Sequence, residues 1–296
     1  MEYPLLMGSV ALGTTKSILS KLVKEKNEKA YKTLFSNIIM FTVSFIVVTA
    51  MGFHSLNGYQ GVPLLLAILY GVCTVGGQIA LMQAVTIGPV SISSLFYSCG
   101  FLLPTIFGTI YYKENFHFLQ GIGIGLTLLA FLLSIEKEEK GFDFKWLGAA
   151  ILGLIFSGAV GIIQKLFVKE YPHVALDSFL SASFAFMIVF SVAAFLVLYL
   201  KDKKKDGFQQ KLAIKKKNII FLCVLGLVIG LANKLNTYLT GILPSAVSFP
   251  VINGGTIFIT SIVSMLLFKE KLSLKQKIAI IIGIVAIICI GISKNL

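Results

Sequence analysis

Apolar runs of about 20 residues, the length a helix needs to cross the hydrocarbon core of a bilayer, recur along the entire chain with only short polar breaks. They fall at about 4–23, 33–53, 62–86, 89–112, 116–135, 146–168, 176–200, 218–241, 245–268 and 272–293. Hydrophobic residues make up 56% of the 296 and charged residues only 13%, with a mean hydropathy of +0.90. A soluble fold has nowhere to hide so much apolar surface. Unbroken runs favour helices over a barrel, whose strands alternate over ~10 residues. The first run carries Lys16 near its middle and has neither a basic leader nor a small-residue cleavage site before Lys21, so it reads as a retained helix rather than a signal peptide. The expectation is an all-α polytopic membrane protein with ten transmembrane helices.

The charges lie between these runs. All 26 basic residues are lysine, and the net charge is +13. Without arginine the chain lacks the planar fork that recognises phosphate bidentately, and the surplus is read as setting orientation and meeting anionic lipid, with no nucleic acid as partner. Cys73, Cys99, Cys223 and Cys289 fall inside apolar runs without CxxC spacing, which speaks against disulfides and a metal cluster.

Internal similarity divides the chain. Gly13 to Glu25 resembles Gly158 to Glu170, Gln78 to Pro89 aligns with Asn233 to Pro244, and Lys113-Glu114-Asn115 aligns with Lys269-Glu270-Lys271, all in the same order. Two repeats follow, residues 1–140 and 141–296. Five spans is an odd number, so the second repeat enters the membrane from the opposite side and the repeats are inverted. Lysines agree: the loop after span 2 has none, and its counterpart after span 7 has eight. The loop after span 1 holds Lys21, Lys24, Lys26, Lys29 and Lys32, whereas its counterpart after span 6 holds only Lys165 and Lys169. Twenty lysines fall on one side and four on the other, with Lys16 and Lys234 inside spans, so the positive-inside rule places both termini outward and the 201–217 loop in the cytoplasm.

The Ser20-Lys21-Leu22 end of span 1, the Ile87-Gly88-Pro89-Val90 link into span 4, and the Tyr112-Lys113-Glu114 and Phe268-Lys269-Glu270 ends of spans 4 and 9 resemble the ten-helix EamA-like members of the drug/metabolite transporter superfamily. The resemblance covers nearly the whole chain. It implies two five-helix repeats and transport of a small metabolite such as an amino acid, sugar, nucleotide precursor or organic cation, without naming the cargo. Many members keep their termini in the cytoplasm, the opposite of what the lysine balance gives here.

Charges inside a bilayer are expensive and mark sites. Lys16, after Thr14 and Thr15, and Lys234, between Asn233 and Asn236, are the two such positions, with snorkelling to the interface as the alternative. No Asp or Glu falls in the middle of a span, since Glu25, Glu114, Glu170, Asp177 and Glu270 are at helix ends. Lysines without carboxylate partners favour cargo bearing a carboxylate, including a zwitterion. Gln78, Gln83, Tyr97, Ser98, Asn233, Asn236, Tyr238, Asn253 and Thr256 add polar groups in aligned spans. Amides at equivalent places in inverted repeats suit a midplane cavity, and interhelical hydrogen bonding is the other use for them. The expected substrate-binding set is therefore Lys16, Gln78, Gln83, Tyr97, Asn233, Lys234, Asn236, Tyr238 and Asn253. Pro104 and Pro250, each near glycines, are expected to interrupt spans 4 and 9. Gly121 with Gly125 and Gly226 with Gly230 have GxxxG spacing, read as helix packing within one bundle.

No HExxH or P-loop occurs, and His54, His117 and His173 lie in or near loops, so no enzyme activity, cofactor or metal is expected. The partners expected are a small-molecule substrate and membrane lipid, with the chain as a monomer or weak homodimer in a plasma membrane of bacterial type. A secondary carrier working by alternating access is the reading reached. A non-transporting sensor or scaffold, and a carrier of neutral polar cargo such as nucleobases or sugars, are the alternatives.

Overall fold

The structure, a computed structural model, describes residues 2–23, 30–52, 61–135, 143–206, 216–269 and 273–293. Lys24, Lys26, Lys29, Lys211 and Lys215 of the lysine-rich loops, and Glu25, His54 and Glu270, lie outside the described residues. The helices in chain order are α1 (Glu2–Val23), α2 (Ala30–Met51), α3 (Val62–Ile87), α4 (Val90–Ser98), α5 (Leu102–Tyr111), α6 (Phe118–Leu133), α7 (Phe144–Glu170), α8 (Leu176–Asp206), α9 (Lys216–Ile242), α10 (Ser245–Phe268) and α11 (Leu274–Ser293). No strand occurs among the described residues.

Eight of the described segments are long and apolar enough to cross a membrane, α4 and α5 being counted together as Ile92–Tyr111. The protein is thus a multi-pass helical membrane protein. α1, which carries Lys16 and Lys21, is not among the eight, and α6 is apolar but only 16 residues long, about 24 Å at 1.5 Å per residue.

These helices can be apolar nearly all round because one face meets lipid and the other meets protein. Ile106, Ile110, Leu266 and Leu267 are exposed, as lipid-facing positions should be. Hydroxyls on such helices are absorbed locally: Thr42 donates to the Ile38 carbonyl at 2.7 Å, Thr105 to Phe101 at 2.8 Å and Thr127 to Gly123 at 2.9 Å.

α7 lies at the centre. Its buried face carries Ala149, Ala150, Gly153, Gly158 and Gly161, and those small residues let α3, α4, α5 and α9 come close. α3 packs on α7 and α8, α9 packs on α1 and α2, and α2 packs on α8 and α6 on α11. The largest apolar cluster joins Phe41, Tyr70, Phe167, Phe179, Phe184 and Met187. Gly226 and Gly230 of α9 lie against Met40, Val43 and Ser44 of α2, so this GxxxG face is spent inside the bundle.

The two prolines behave differently. A 3₁₀ turn, Cys99–Phe101, separates α4 from α5, just before Pro104, whose ring excludes the usual hydrogen bond to the Gly100 carbonyl. α10 instead runs unbroken through Pro250, which corrects the expected second interruption. Pro250 sits in the second turn, where its missing N–H removes only the single bond to the Ala246 carbonyl and the helix continues past it.

Candidate functional site

The break between α4 and α5 shapes a cavity of about 350 Å³ bounded also by α1, α2, α3, α7, α8, α9 and α10. The fit depends on two glycines: a Cβ on Gly158 would lie 2.7 Å from the Gly100 carbonyl oxygen, and one on Gly100 would lie 2.8 Å from the Ser157 side chain. With both glycines the 3₁₀ turn rests on α7, and Tyr97 and Phe101 reach the cavity beside Ser157 and Gly161.

Six of the nine expected site residues line this cavity: Lys16, Gln78, Tyr97, Asn233, Asn236 and Asn253. Gln83, Lys234 and Tyr238 do not. On α9 the reason is angular. Asn233, Asn236 and Thr240 follow one another at i, i+3 and i+7 on the cavity face, whereas Lys234 and Tyr238 share another face, about 100° round the helix. Tyr238 is exposed. Gln83 is also exposed, because five residues beyond Gln78 carry it well off the cavity face.

Most of the wall is internally bonded. Asn37 donates to Gln78 Oε1 at 2.6 Å, Tyr70 donates to Asn233 Oδ1 at 2.7 Å, and Gln164 Nε2 reaches the Tyr70 hydroxyl at 3.1 Å and Thr237 Oγ1 at 2.8 Å. Ser9 donates to Asn236 Oδ1, and Asn253 Nδ2 bonds the Phe249 carbonyl at 2.9 Å. Sequence reasoning missed Asn37, Tyr70, Thr74 and Gln164. The last three had a readable signal: Tyr70, Thr74 and Gln78 recur every four residues on α3, as Ser157, Gly161 and Gln164 recur on α7.

Lys16 is the sole charged side chain among the described residues lining the cavity. Its side chain is accessible, and no hydrogen bond or ion pair to it occurs among the described residues. The other two intramembrane lysines are engaged, which corrects the expectation of lysines without carboxylate partners. Lys234 pairs with Asp177, its Nζ 2.8 Å from Oδ1 and 3.0 Å from Oδ2. Asp177 stands in the first turn of α8, close enough to α9 to serve a side chain that does not face the cavity.

Lys165, counted above with a loop, is fully buried in α7. Its Nζ lies 2.5 Å from Glu114 Oε1 and donates to the carbonyls of Thr240 at 2.8 Å and Leu243 at 3.1 Å. Glu114 Oε2 in turn accepts from the Ser245 backbone N–H at 2.6 Å. A cation thus closes the carboxyl end of α9 and an anion the amino end of α10, each matching the helix dipole it meets. Lys113, at φ 50°, turns the chain so that Glu114 points back under α10. Nearby, the Tyr112 hydroxyl donates to Glu170 Oε1 at 2.9 Å, and burial followed by the adjacent Glu170 carboxylate pushes its ionisation above the ordinary tyrosine range.

The two ends of the cavity differ. A second cleft of about 270 Å³ shares Ser20, Asn37 and Met40 with it and continues to Val23 and Ala30, at the lysine-rich end of α1 and α2. Towards the other end stand the stacked rings of Phe167 and Phe179, 3.9 Å between centroids, and the Lys165–Glu114 junction. Among the described residues no cluster of His, Cys, Asp or Glu suits a metal ion.

No curated protein matches the chain. A solved structure described only as "Crystal structure of protein" superposes with a TM-score of 0.73 at 12% identity, covering 100% of this chain and 99% of that one, which shows a shared fold. The profile of the EamA-like transporter family matches residues 144–292, half of the chain, from the start of α7 to the last turn of α11. Multiple apolar spans around a polar cavity agree with that match, and the chain belongs to the EamA-like transporter family, part of the drug/metabolite transporter superfamily of small-molecule membrane transporters.

Proposed function

We propose that the protein is a secondary carrier that moves a small polar metabolite with an anionic group across the plasma membrane by alternating access, using ten spans arranged as two inverted five-helix repeats. The observation that carries the cargo reading is Lys16: a free ammonium in a cavity whose other lining side chains are uncharged. Such a group attracts negative charge and repels cations.

The repeats are supported by paired details. Lys113 and Lys269 are the two non-glycine residues with positive φ among the described residues, at 50° and 53°, and they occupy aligned positions after α5 and α10. Pro89 and Pro244, also aligned, stand before α4 and α10 in extended conformation. Neighbours exchange in the same way, α3 with α7 and α8 as α9 with α1 and α2. With the lysine-rich end cytoplasmic, the neighbouring cleft that shares Ser20, Asn37 and Met40 leads towards the cytoplasm, and the Phe167–Phe179 stack and the Lys165–Glu114 junction at the other end support a state open to one side, as a rocking carrier needs.

The test is binding and uptake by reconstituted protein with organic acids as probes. Lys16→Gln is expected to weaken anion binding roughly 10-fold or more, the equivalent of a charge-assisted hydrogen bond of ~1.5–3 kcal/mol. Unchanged affinity, with preserved folding, would refute the anionic reading and favour neutral polar cargo.

A further inference from the structure

Building on that reading of the site, we infer that the cargo is a net-anionic organic acid whose remaining polar groups are hydroxyls or carbonyls, and that the cavity rejects α-amino acids. Lys16 alone supplies charge to the wall. A carboxylate drawn to it would, in an amino acid, carry an ammonium two bonds away, held against the lysine's own positive charge with no anion to offset it. The two carboxylates nearest the bundle interior are unavailable: Glu114 is committed to Lys165 and Ser245, Asp177 to Lys234, and neither lines the cavity.

Four of the six aromatic side chains lining the cavity are turned to packing. Tyr70 packs edge-on against Phe179, Phe41 tilts against Phe184, and Phe101 meets Phe131 edge-on, so these rings are used in packing rather than arranged as a cage for a cation. What the wall does offer is amide and hydroxyl capacity beyond the bonds already made. Asn253 uses Nδ2 on the Phe249 carbonyl and keeps Oδ1, and Asn236 accepts Ser9 on Oδ1 and keeps its NH₂. One donor and one acceptor of this kind suit a hydroxyl, which both donates and accepts. An ammonium, with three donors, would leave the Asn236 donor facing a like group.

Matched pairs differing only in hydroxyl against ammonium isolate this choice: glycerate and serine, lactate and alanine, phenyllactate and phenylalanine. Binding to full-length protein in lipid nanodiscs, followed by thermal shift and titration, is compared for wild type, Lys16→Gln and Lys16→Arg. The expected result is that a hydroxy acid half-saturates at a concentration at least tenfold below its amino acid, that Lys16→Arg keeps this preference and that Lys16→Gln loses it. Equal or tighter binding of the amino acid, still weakened by Lys16→Gln, would overturn this inference while leaving the anionic site intact. Binding of a pair indifferent to Lys16→Gln in a cooperatively melting variant, or no binding by any pair, would overturn both.

Discussion

Replacing Glu114 with Gln strikes the one carboxylate that pairs with the fully buried Lys165 among the described residues. Gln keeps the size of Glu and its oxygen can still accept from the Ser245 N–H, but its NH₂ then faces the Lys165 ammonium, so the variant removes the negative charge and the acceptor that Lys165 uses. Lys165 is then left fully buried with the Thr240 and Leu243 carbonyls as its acceptors. Removing one member of a buried pair costs about 3–5 kcal/mol, because the surviving charge is uncompensated. At ~2–4 °C per kcal/mol the melting temperature should fall by on the order of 10 °C. A thiol-reactive dye reads this directly, since four free cysteines are present and Cys99 is buried. The double variant Glu114→Gln with Lys165→Met should regain most of the loss, since removing the second charge as well leaves no uncompensated ion in the interior. A Glu114→Gln protein that melts like wild type, or a double variant no better than the single, would refute the argument that charge compensation holds this junction together.

Lys234→Gln should leave organic-acid affinity within twofold of wild type and destabilise by about 0–1 kcal/mol, because its pair with Asp177 is partly exposed; a tenfold loss in a binding titration would return Lys234 to the site. Gly158→Ala should cost about 1–3 kcal/mol by overpacking, as its Cβ would fall 2.5 Å from Leu103 Cδ1 and 2.7 Å from the Gly100 carbonyl oxygen, and an unshifted melt would show that the 3₁₀ turn can yield. A C-terminal fusion to a reporter active only in the cytoplasm should be silent, and strong activity would reverse the orientation read from the lysines.

The apolar runs made the helices legible, because in a bilayer length and hydropathy decide what a segment does. The cavity was legible in part. Asn233 and Asn236 line it, but Lys234 and Tyr238 were grouped with them by proximity along the chain, and a helix turns about 100° per residue. Asn37 is the one amide in α2 and gave no recurring amide pattern to read. Lys165 was misassigned because its position near a span end resembles a loop lysine. Only the fold shows that Glu114, 51 positions earlier, reaches it, and that a carboxylate at one helix end can serve a lysine deep in another.

In both ion pairs the carboxylate comes earlier in the chain than the lysine: Glu114 before Lys165, and Asp177 before Lys234. On a ribosome delivering helices one after another to the membrane, each of these lysines arrives when its counter-charge has already been made. α7 therefore need not carry a naked ammonium into lipid while awaiting α9, whose carbonyls complete the junction later. Lys16 has no such counter-charge among the described residues, so its charge must be met during biogenesis by water or headgroups, which fits a residue retained for something other than assembly.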